Sequence, residues 1–313
     1  MALNRITPQI AATMRPDAVR DPVAAQYLYD AREEDVRPEE LADPIGDEAH
    51  SPVKGVVHRY PDRVLLKITD TCAVYCRFCF RKEMVGKGAG MLREDELTNA
   101  LDYIRRAPHV REVILSGGDP LTLSNRRLFD VLGRLQQIPH IDVLRLHTRA
   151  PMTNPERIDE EFLRQAAALE KPLYMVMHVN HAQEIDDRIK QTWRALNRAG
   201  IVLLSQSVLL KGVNDSADTL ETLFRALIAN RVKPYYLHHP DMAPGTSHFR
   251  VGIKEGQALM KQLRGRLSGI AQPTYVLDIP GGHGKMPIGP VYAQELDGRY
   301  LIEDYQGKEH PYG

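Results

Sequence analysis

The sequence predicts an α/β fold built on a parallel sheet, because strand-like and helix-like segments alternate along most of its 313 residues. From about residue 64 onward, short runs rich in apolar and β-branched residues alternate with amphipathic segments. Six strands that alternate with helices are typical of right-handed βαβ units in a parallel sheet. The strands show little polar alternation, as expected when helices cover both faces of the sheet.

The predicted elements follow one another in order along the chain. Residues 1–50 are rich in Pro, Asp and Glu, and we expect an extended arm with short helices, for example over 21–33. The predicted strands cover 64–69, 112–115, 143–146, 173–177, 201–205 and 233–237, with a later strand at 274–277. The predicted helices cover 94–107, 124–137, 156–169, 184–199, 216–230 and 253–267. Gly200 follows the fourth of these helices, where a glycine commonly ends a helix.

Composition and charge narrow the class of protein. Lys and Arg number 41, as do Asp and Glu, so the formal net charge of zero does not favour nucleic acid or an anionic membrane as a partner. The first residues, Met-Ala-Leu-Asn-Arg, lack the apolar core of a signal peptide. No apolar run approaches the roughly 18–20 residues that span a bilayer. We therefore expect a cytoplasmic protein that binds neither nucleic acid nor membranes.

Unusual polar residues follow the predicted strands, at the edge where the carboxyl ends of parallel strands meet. Such edges form the active face of barrels and open α/β sheets. In strand order these residues are Cys72, Cys76 and Cys79, then 116–120, 147–149, His178, Gln206 and 238–241. We expect one face of the fold to collect this chemistry.

The three cysteines of the chain, Cys72, Cys76 and Cys79, lie within eight residues of each other in a CxxxCxxC pattern. A disulfide framework would distribute an even number of cysteines, so this group indicates a metal site. Structural zinc needs four ligands, and the fourth would have to be a histidine such as His58. A [4Fe–4S] cluster usually has four thiolates, and three thiolates leave one iron open to an outside ligand. The pattern favours such a cluster.

The cysteine motif, with Phe78 directly before the last cysteine, resembles that of the radical S-adenosylmethionine (SAM) superfamily. This resemblance implies a partial (β/α)6 barrel of the TIM type, with SAM bound to the open iron. It also implies that Gly117, Gly118 and Asp119, which follow the second strand, bind the SAM amino group. Two glycines permit close backbone approach to a ligand, although a plain tight turn is an alternative explanation.

A glycine-rich segment, Pro280-Gly-Gly-His-Gly-Lys285, follows the last predicted strand. It is not a P-loop, because the glycine spacing differs and no Ser or Thr follows the lysine. A lysine in an accessible loop suits covalent attachment of pyridoxal 5′-phosphate (PLP), and a solvated lysine is the alternative.

Taken together, the cysteine motif, Ser116-Gly-Gly-Asp-Pro120 and the Lys285 segment resemble the lysine 2,3-aminomutase family, with similarity from about Asp43 to Pro290. The resemblance implies that Lys285 binds PLP and that Arg81 pairs with the substrate α-carboxylate. The other residues it implies are Arg59, Tyr60 and Arg63 for the PLP phosphate, Asp241 and Asp278 for the distal ammonium of lysine, and His178 and Gln206 for the SAM ribose and adenine.

The implied activity is that of an isomerase, L-lysine 2,3-aminomutase. Such an enzyme interconverts L-lysine and β-lysine by means of a 5′-deoxyadenosyl radical and PLP. We expect three parts: an N-terminal arm with short helices over 1–57, the partial barrel over 58–270, and a C-terminal segment over 271–313 that carries the PLP lysine. We also expect an external electron donor such as flavodoxin or ferredoxin, and a homo-oligomer.

Three alternatives stay open. The chain could be a 2,3-aminomutase for glutamate or arginine, or one that supplies β-lysine for modification of translation elongation factor P; Asp241 and Asp278 disfavour glutamate by repulsion. It could be a radical SAM enzyme without PLP, or a zinc-binding module. His238 stands where the family has an aromatic residue, and both ends of the chain are shorter than in the long clostridial-type members. These departures leave contacts to PLP or adenosine, and assembly, open.

Overall fold

The computed structural model describes residues 4–15, 21–85 and 90–313, so Met1 to Leu3 of the predicted arm, together with 16–20 and 86–89, lie outside the described residues. The main sheet has nine strands that lie side by side in sequence order. They are β1 Val56–Tyr60, β2 Arg63–Thr69, β3 Glu112–Gly117, β4 Val143–Thr148, β5 Leu173–His178, β6 Val202–Val208, β7 Lys233–His238, β8 Thr274–Ile279 and β9 Gly284–Pro287. Strands β2 to β8 are parallel, and β1 and β9 pair antiparallel at the two edges.

Apart from α1 in the N-terminal arm, the helices follow the parallel strands and cover the outside of the sheet. They are α1 Pro8–Thr13, α2 Glu94–Arg105, α3 Asn125–Gln136, α4 Ala150–Thr153, α5 Glu160–Ala167, α6 Asp187–Arg198, α7 Ala217–Ala229 and α8 Ile253–Leu263. Side chains that accept from backbone N–H groups fix where several of them begin. Asp159 accepts from the Phe162 N–H at 2.7 Å, and Asp186 accepts from the Ile189 N–H at 2.8 Å.

The core lies between the sheet and these helices. The strands contribute fully buried side chains such as Leu115, Leu146 and Met177, and α6 contributes Trp193. Burying one large apolar side chain stabilises a fold by about 1.5–3 kcal/mol, so this layer fixes the positions of the strand ends.

The sheet curves until its two edges approach each other. The backbone N–H of Lys285 on β9 donates to the Tyr60 hydroxyl on β1 at 2.6 Å, although these strands do not pair. The α/β class and the partial barrel are therefore confirmed, with β8 as an additional parallel strand.

The prediction that Lys285 lies in a loop is wrong. Gly281 and Gly282 adopt positive φ angles of 82° and 86°, which glycine tolerates without strain. The turn they form directs the chain back along β8, so that Lys285 lies on β9 directly opposite Asp278.

The predicted strand ends were also too early at several positions. His147 belongs to β4 and Gln206 belongs to β6, because these strands continue two or three residues further than predicted. Strand β1 was not predicted, and neither was a small C-terminal sheet of β10 Ala293–Leu296, β11 Arg299–Glu303 and β12 Glu309–Tyr312.

The arm contains short helices, as expected: α1 and the 3₁₀ turns Ala24–Gln26, Ala31–Glu34 and Glu48–His50. The division into parts at residues 57 and 270 stays a prediction. Within the described ranges, no helix combines the length and the apolar character needed to cross a membrane.

Candidate active site

One cavity of about 860 Å³ lies inside the curved sheet, and every predicted site residue lines it. These residues are Arg59, Tyr60, Arg63, Cys72, Cys76, Cys79, Arg81, Gly117, Gly118, Asp119, His178, Gln206, Asp241, Asp278 and Lys285. A cavity of this size holds small-molecule ligands, and its lining comes from strands that the sequence separates by more than 200 residues.

The cysteine loop leaves the end of β2 and is held by the N-terminal arm. The Arg77 N–H donates to the Gln26 carbonyl at 2.8 Å, and the Tyr75 N–H donates to the Arg5 carbonyl at 3.0 Å. Burial raises the pKa of all three thiols, that of Cys79 to about 11. Such thiols lose their protons when a metal binds them, so metal binding and the order of this loop are coupled.

The donor set fits an iron–sulfur cluster better than a single ion. In the part of the chain that the structure describes, no three His, Cys, Asp or Glu side chains surround one point closely enough to hold one metal ion. In a [4Fe–4S] cluster each thiolate binds a different iron, so the sulfurs surround a larger volume. The considered zinc ligand His58 lies elsewhere, where its Nδ1 is 2.7 Å from the Tyr103 hydroxyl.

The two glycines after β3 pack against the cysteine loop. A Cβ atom at Gly117 would lie 2.4 Å from the Thr69 carbonyl oxygen, and one at Gly118 would lie 2.3 Å from the Thr71 carbonyl oxygen. Any side chain would push this backbone away from Cys72. The structure therefore gives these glycines a packing reason, and their contact with SAM stays a prediction.

Asp119 connects the end of β3 to β4. Its carboxylate accepts from the Thr148 hydroxyl at 2.7 Å and from the Arg149 and Leu121 N–H groups at 2.8 and 2.9 Å. Burial raises its pKa, and these hydrogen bonds act in the opposite direction. The Asp119 carboxylate thus already accepts three hydrogen bonds from the protein, and its contact with SAM stays a prediction.

At the ends of β7 and β8, Lys285 contacts two side chains. Its ammonium donates to the Asp278 carboxylate and to His238 Nδ1, the latter at 3.1 Å. Burial alone would raise the pKa of Asp278, but the neighbouring His238 imidazole, whose Nδ1 lies 3.6 Å away, and the charge of Lys285 hold this pKa well below its usual range. Burial, together with the charge of Lys285, lowers the pKa of His238 to about 4, so this imidazole is neutral at pH 7.

Asp241 lines the same part of the cavity but lacks a counterion of its own. Burial and the neighbouring charge of Asp278 raise its pKa to about 7. Among the described residues its carboxylate has no hydrogen-bond or ion-pair partner. One carboxylate of the pair is therefore always charged, and the other titrates near neutrality.

A buried carboxylate that the sequence analysis missed, Asp47, holds two of the predicted arginines. It accepts from Arg81 Nη2 at 2.8 Å and from Arg59 Nη2 at 3.2 Å, and Lys67 Nζ lies 3.8 Å away. Three cations around one carboxylate leave net positive charge facing the cavity. Arg59 Nε is buried and has no partner within the described residues, so it is free to donate to an anion. This part of the cavity fits a carboxylate or a phosphate.

The signal for Asp47 in the sequence is that it lies near the start of the stretch from Asp43 to Pro290 that resembles the family. The sequence alone could not show its partners, which are 12 and 34 residues away along the chain.

The remaining predicted residues lie between these regions. Arg63 lies 3.8 Å over the Tyr60 ring and pairs with Asp62, while Tyr60 binds the Lys285 backbone. His178 and Gln206 are neighbours across β5 and β6. The Lys285 amine lies in the same cavity as arginines that can donate hydrogen bonds to a phosphate, and this combination fits PLP. The individual assignments of Arg59, Tyr60, Arg63, His178 and Gln206 stay predictions.

Comparisons with known proteins agree with this site. Residues 66–223 match the radical SAM superfamily, and residues 260–308 match the family described as lysine-2,3-aminomutase. A putative L-lysine 2,3-aminomutase of Aquifex aeolicus is 38% identical over 97% of this chain and 82% of its own length. L-lysine 2,3-aminomutase of Clostridium subterminale is 38% identical over 96% of this chain and 73% of its own length. Glutamate 2,3-aminomutase of Clostridioides difficile is 35% identical over 97% of this chain and 72% of its own length.

The fold and the three-cysteine loop place the chain among the radical SAM enzymes. Within that class, it belongs to the lysine 2,3-aminomutase family. The predicted isomerase class is confirmed, as are the predicted cofactors, a [4Fe–4S] cluster and SAM from the superfamily and PLP from the family.

Proposed function

We propose that this enzyme interconverts L-lysine and β-lysine by moving the amino group between C2 and C3. The observation that carries the proposal is a pair of carboxylates, Asp241 and Asp278, in the same cavity as the arginine pair at Asp47. An amino acid with a second ammonium group needs such an arrangement, because a buried cation requires countercharge.

The different surroundings of Asp241 and Asp278 support a cationic substrate. In the ligand-free protein Asp278 pairs with the ammonium of Lys285, and it would lose this partner once PLP is attached to Lys285. Asp241 has no counterion within the described residues, so a second cation that enters the cavity would meet an acceptor that is ready to ionise. Glutamate would bring a third carboxylate to this place, which disfavours the activity named for the C. difficile relative.

The residues of the chain bind and orient the substrate. When bound, the cluster, SAM and PLP supply the radical chemistry and the stabilisation of the migrating group. Arg81 would bind the α-carboxylate while Asp47 holds its guanidinium in place. Asp241 and Asp278 would hold the far end, which fixes C2 and C3 between the two anchors. The curved sheet surrounds these groups and limits the access of water.

The proposal is tested by anaerobic incubation of the reconstituted enzyme with SAM, PLP, a reductant and, separately, lysine, arginine, glutamate and alanine. We expect β-lysine from lysine and no β-amino acid from glutamate. Turnover of another amino acid while lysine stays unchanged would refute the substrate assignment. A Lys285→Ala variant with full activity would instead refute the role of PLP.

We also propose that the electron comes from an external donor such as flavodoxin or ferredoxin. The chain has three cysteines in all, so its thiolates cannot hold a second cluster to relay electrons. A cytoplasmic location, where such donors occur, and a homo-oligomer remain proposals. Light scattering of the purified protein would test the oligomer, and a monomer at micromolar concentration would refute it.

A further inference from the structure

A buried arginine that none of the site assignments includes contacts the cysteine loop. Arg149 follows β4 directly, and its Nη1 donates to the Cys76 sulfur at 3.0 Å. Only 7% of the residue is exposed. Its guanidinium lies 4.7 Å from the centroid of the Tyr27 ring, which covers it from the side of the arm.

A network of polar side chains holds this guanidinium in place. Nη2 donates to Gln26 at 2.6 Å and to Glu184 at 3.0 Å, and both acceptor residues are fully buried. The other carboxylate oxygen of Glu184 accepts from the Asn180 and His181 N–H groups, each at 2.9 Å. The cation is therefore fixed beside Cys76 by the arm on one side and by the segment after β5 on the other.

We propose that Arg149 is a positioning residue that sets the reduction potential of the cluster through its hydrogen bond and charge at the Cys76 thiolate. Reduction adds one electron from a low-potential donor, so the reduced cluster carries one more negative charge. A fixed cation in a site shielded from water stabilises the reduced form more than the oxidised form. Hydrogen bonds to the sulfurs act in the same direction and are known determinants of cluster potentials. Arg149 thus makes the cluster easier to reduce.

The test is an anaerobic redox titration of the reconstituted holoenzyme, followed by the EPR signal of the reduced cluster, without SAM or amino acid. Because no substrate is present, the result does not depend on the proposed lysine activity. Arg149→Gln should shift the midpoint potential to a more negative value at unchanged iron and sulfide content. Arg149→Lys, which keeps the charge, should lie between this variant and the wild type.

The matched control is Arg145→Gln, which removes a second buried arginine, one that lies within β4 and pairs with Glu112 at 2.9 Å. Arg145 lies four residues before Arg149, or roughly 13 Å away along the strand direction. Its potential should stay at the wild-type value, and an equal shift in both variants would contradict the proposal. An unchanged midpoint potential in Arg149→Gln with a complete cluster would also contradict the proposal. This holds even if the variant has lost SAM binding.

Arg149→Gln leaves Glu184 buried without its cation, and the variant could fail to fold. In that case the double variant Arg149→Gln/Glu184→Gln keeps the test valid, because no unpaired charge remains. The guanidinium contacts Cys76, whereas Glu184 lies on its far side, so a smaller shift to more negative potential is expected. An unchanged potential in the folded double variant would refute the proposal.

Discussion

The two functional regions of the cavity treat buried charge differently. Beside the cysteine loop, Arg149 is matched by Glu184 and Gln26, and Asp119 accepts three hydrogen bonds. At the ends of β7 and β8, the ammonium of Lys285 pairs with Asp278, while burial and the charge of Asp278 raise the pKa of Asp241 to about 7.

This difference matches the ligands of the two regions. A resident cluster needs its loop in one fixed place, which a fully paired network provides. A substrate that enters and leaves needs charge that is unbalanced in its absence and becomes paired when it binds. Since unpaired buried charge destabilises a fold, Asp241 lowers the stability of the ligand-free protein while it provides an acceptor for a cationic substrate.

The largest expected effect comes from breaking the cluster region. Cys79→Ser removes one of three thiolates, so we expect loss of the cluster and of all turnover. The Lys285 region should be unaffected, and PLP absorbance should be retained. Iron analysis and the visible spectrum measure both effects, and joint loss of iron and PLP would show that the two regions are not independent.

A smaller effect is expected when the unpaired carboxylate is neutralised. Asp241→Asn removes one charged partner of the distal ammonium, worth about 1.5–3 kcal/mol, so the KM for lysine should rise about 10- to 100-fold. PLP and iron content should match the wild type. An unchanged KM would remove Asp241 from the substrate site.

The pH dependence of lysine binding follows from the same group. Because the pKa of Asp241 is raised to about 7, its carboxylate is protonated below that pH and charged above it. The KM for lysine should therefore fall as pH rises from 6 to 8, by up to about tenfold per unit on the acidic side. In Asp241→Asn this pH dependence of the KM should disappear. Identical pH profiles of the wild type and the variant would contradict the assignment.

The smallest expected effect is on stability. The folded-state pKa of Asp241 exceeds that of the unfolded chain, so its ionisation destabilises the fold as pH rises above the unfolded value. Asp241→Asn should therefore raise the melting temperature of the ligand-free protein at pH 8, with little gain at pH 4. Thermal unfolding at the two pH values measures this, and a destabilised variant at pH 8 would argue against an unpaired carboxylate.

The sequence was sufficient for features that depend on local pattern. Periodicity located the seven parallel strands, and their carboxyl ends indicated the face where the cavity lies. Short motifs with strict chemical demands, such as the three cysteines and Lys285, could be recognised because no other residue type serves there.

Features that depend on distant parts of the chain could not be predicted. The short edge strands β1 and β9 pair locally, with β2 and β8, and were missed for a different reason: their few residues carry little strand pattern. Asp47 and Glu184 are ordinary acidic residues in sequence, and only the fold shows that they hold Arg81 and Arg149. The split between Asp241 and Asp278 arises because β9 places Lys285 opposite only one of them.

The central claim, that Asp241 and Asp278 recognise the distal ammonium of a lysine substrate, is tested most directly by comparing lysine with norleucine, which lacks only the distal amino group. Inhibition constants of norleucine and the KM of lysine are measured on the same holoenzyme and on Asp241→Asn. The expected result is that the wild type favours lysine by about 100-fold or more and that the gap narrows in the variant. Equal affinity of the wild type for the two amino acids would contradict the claim.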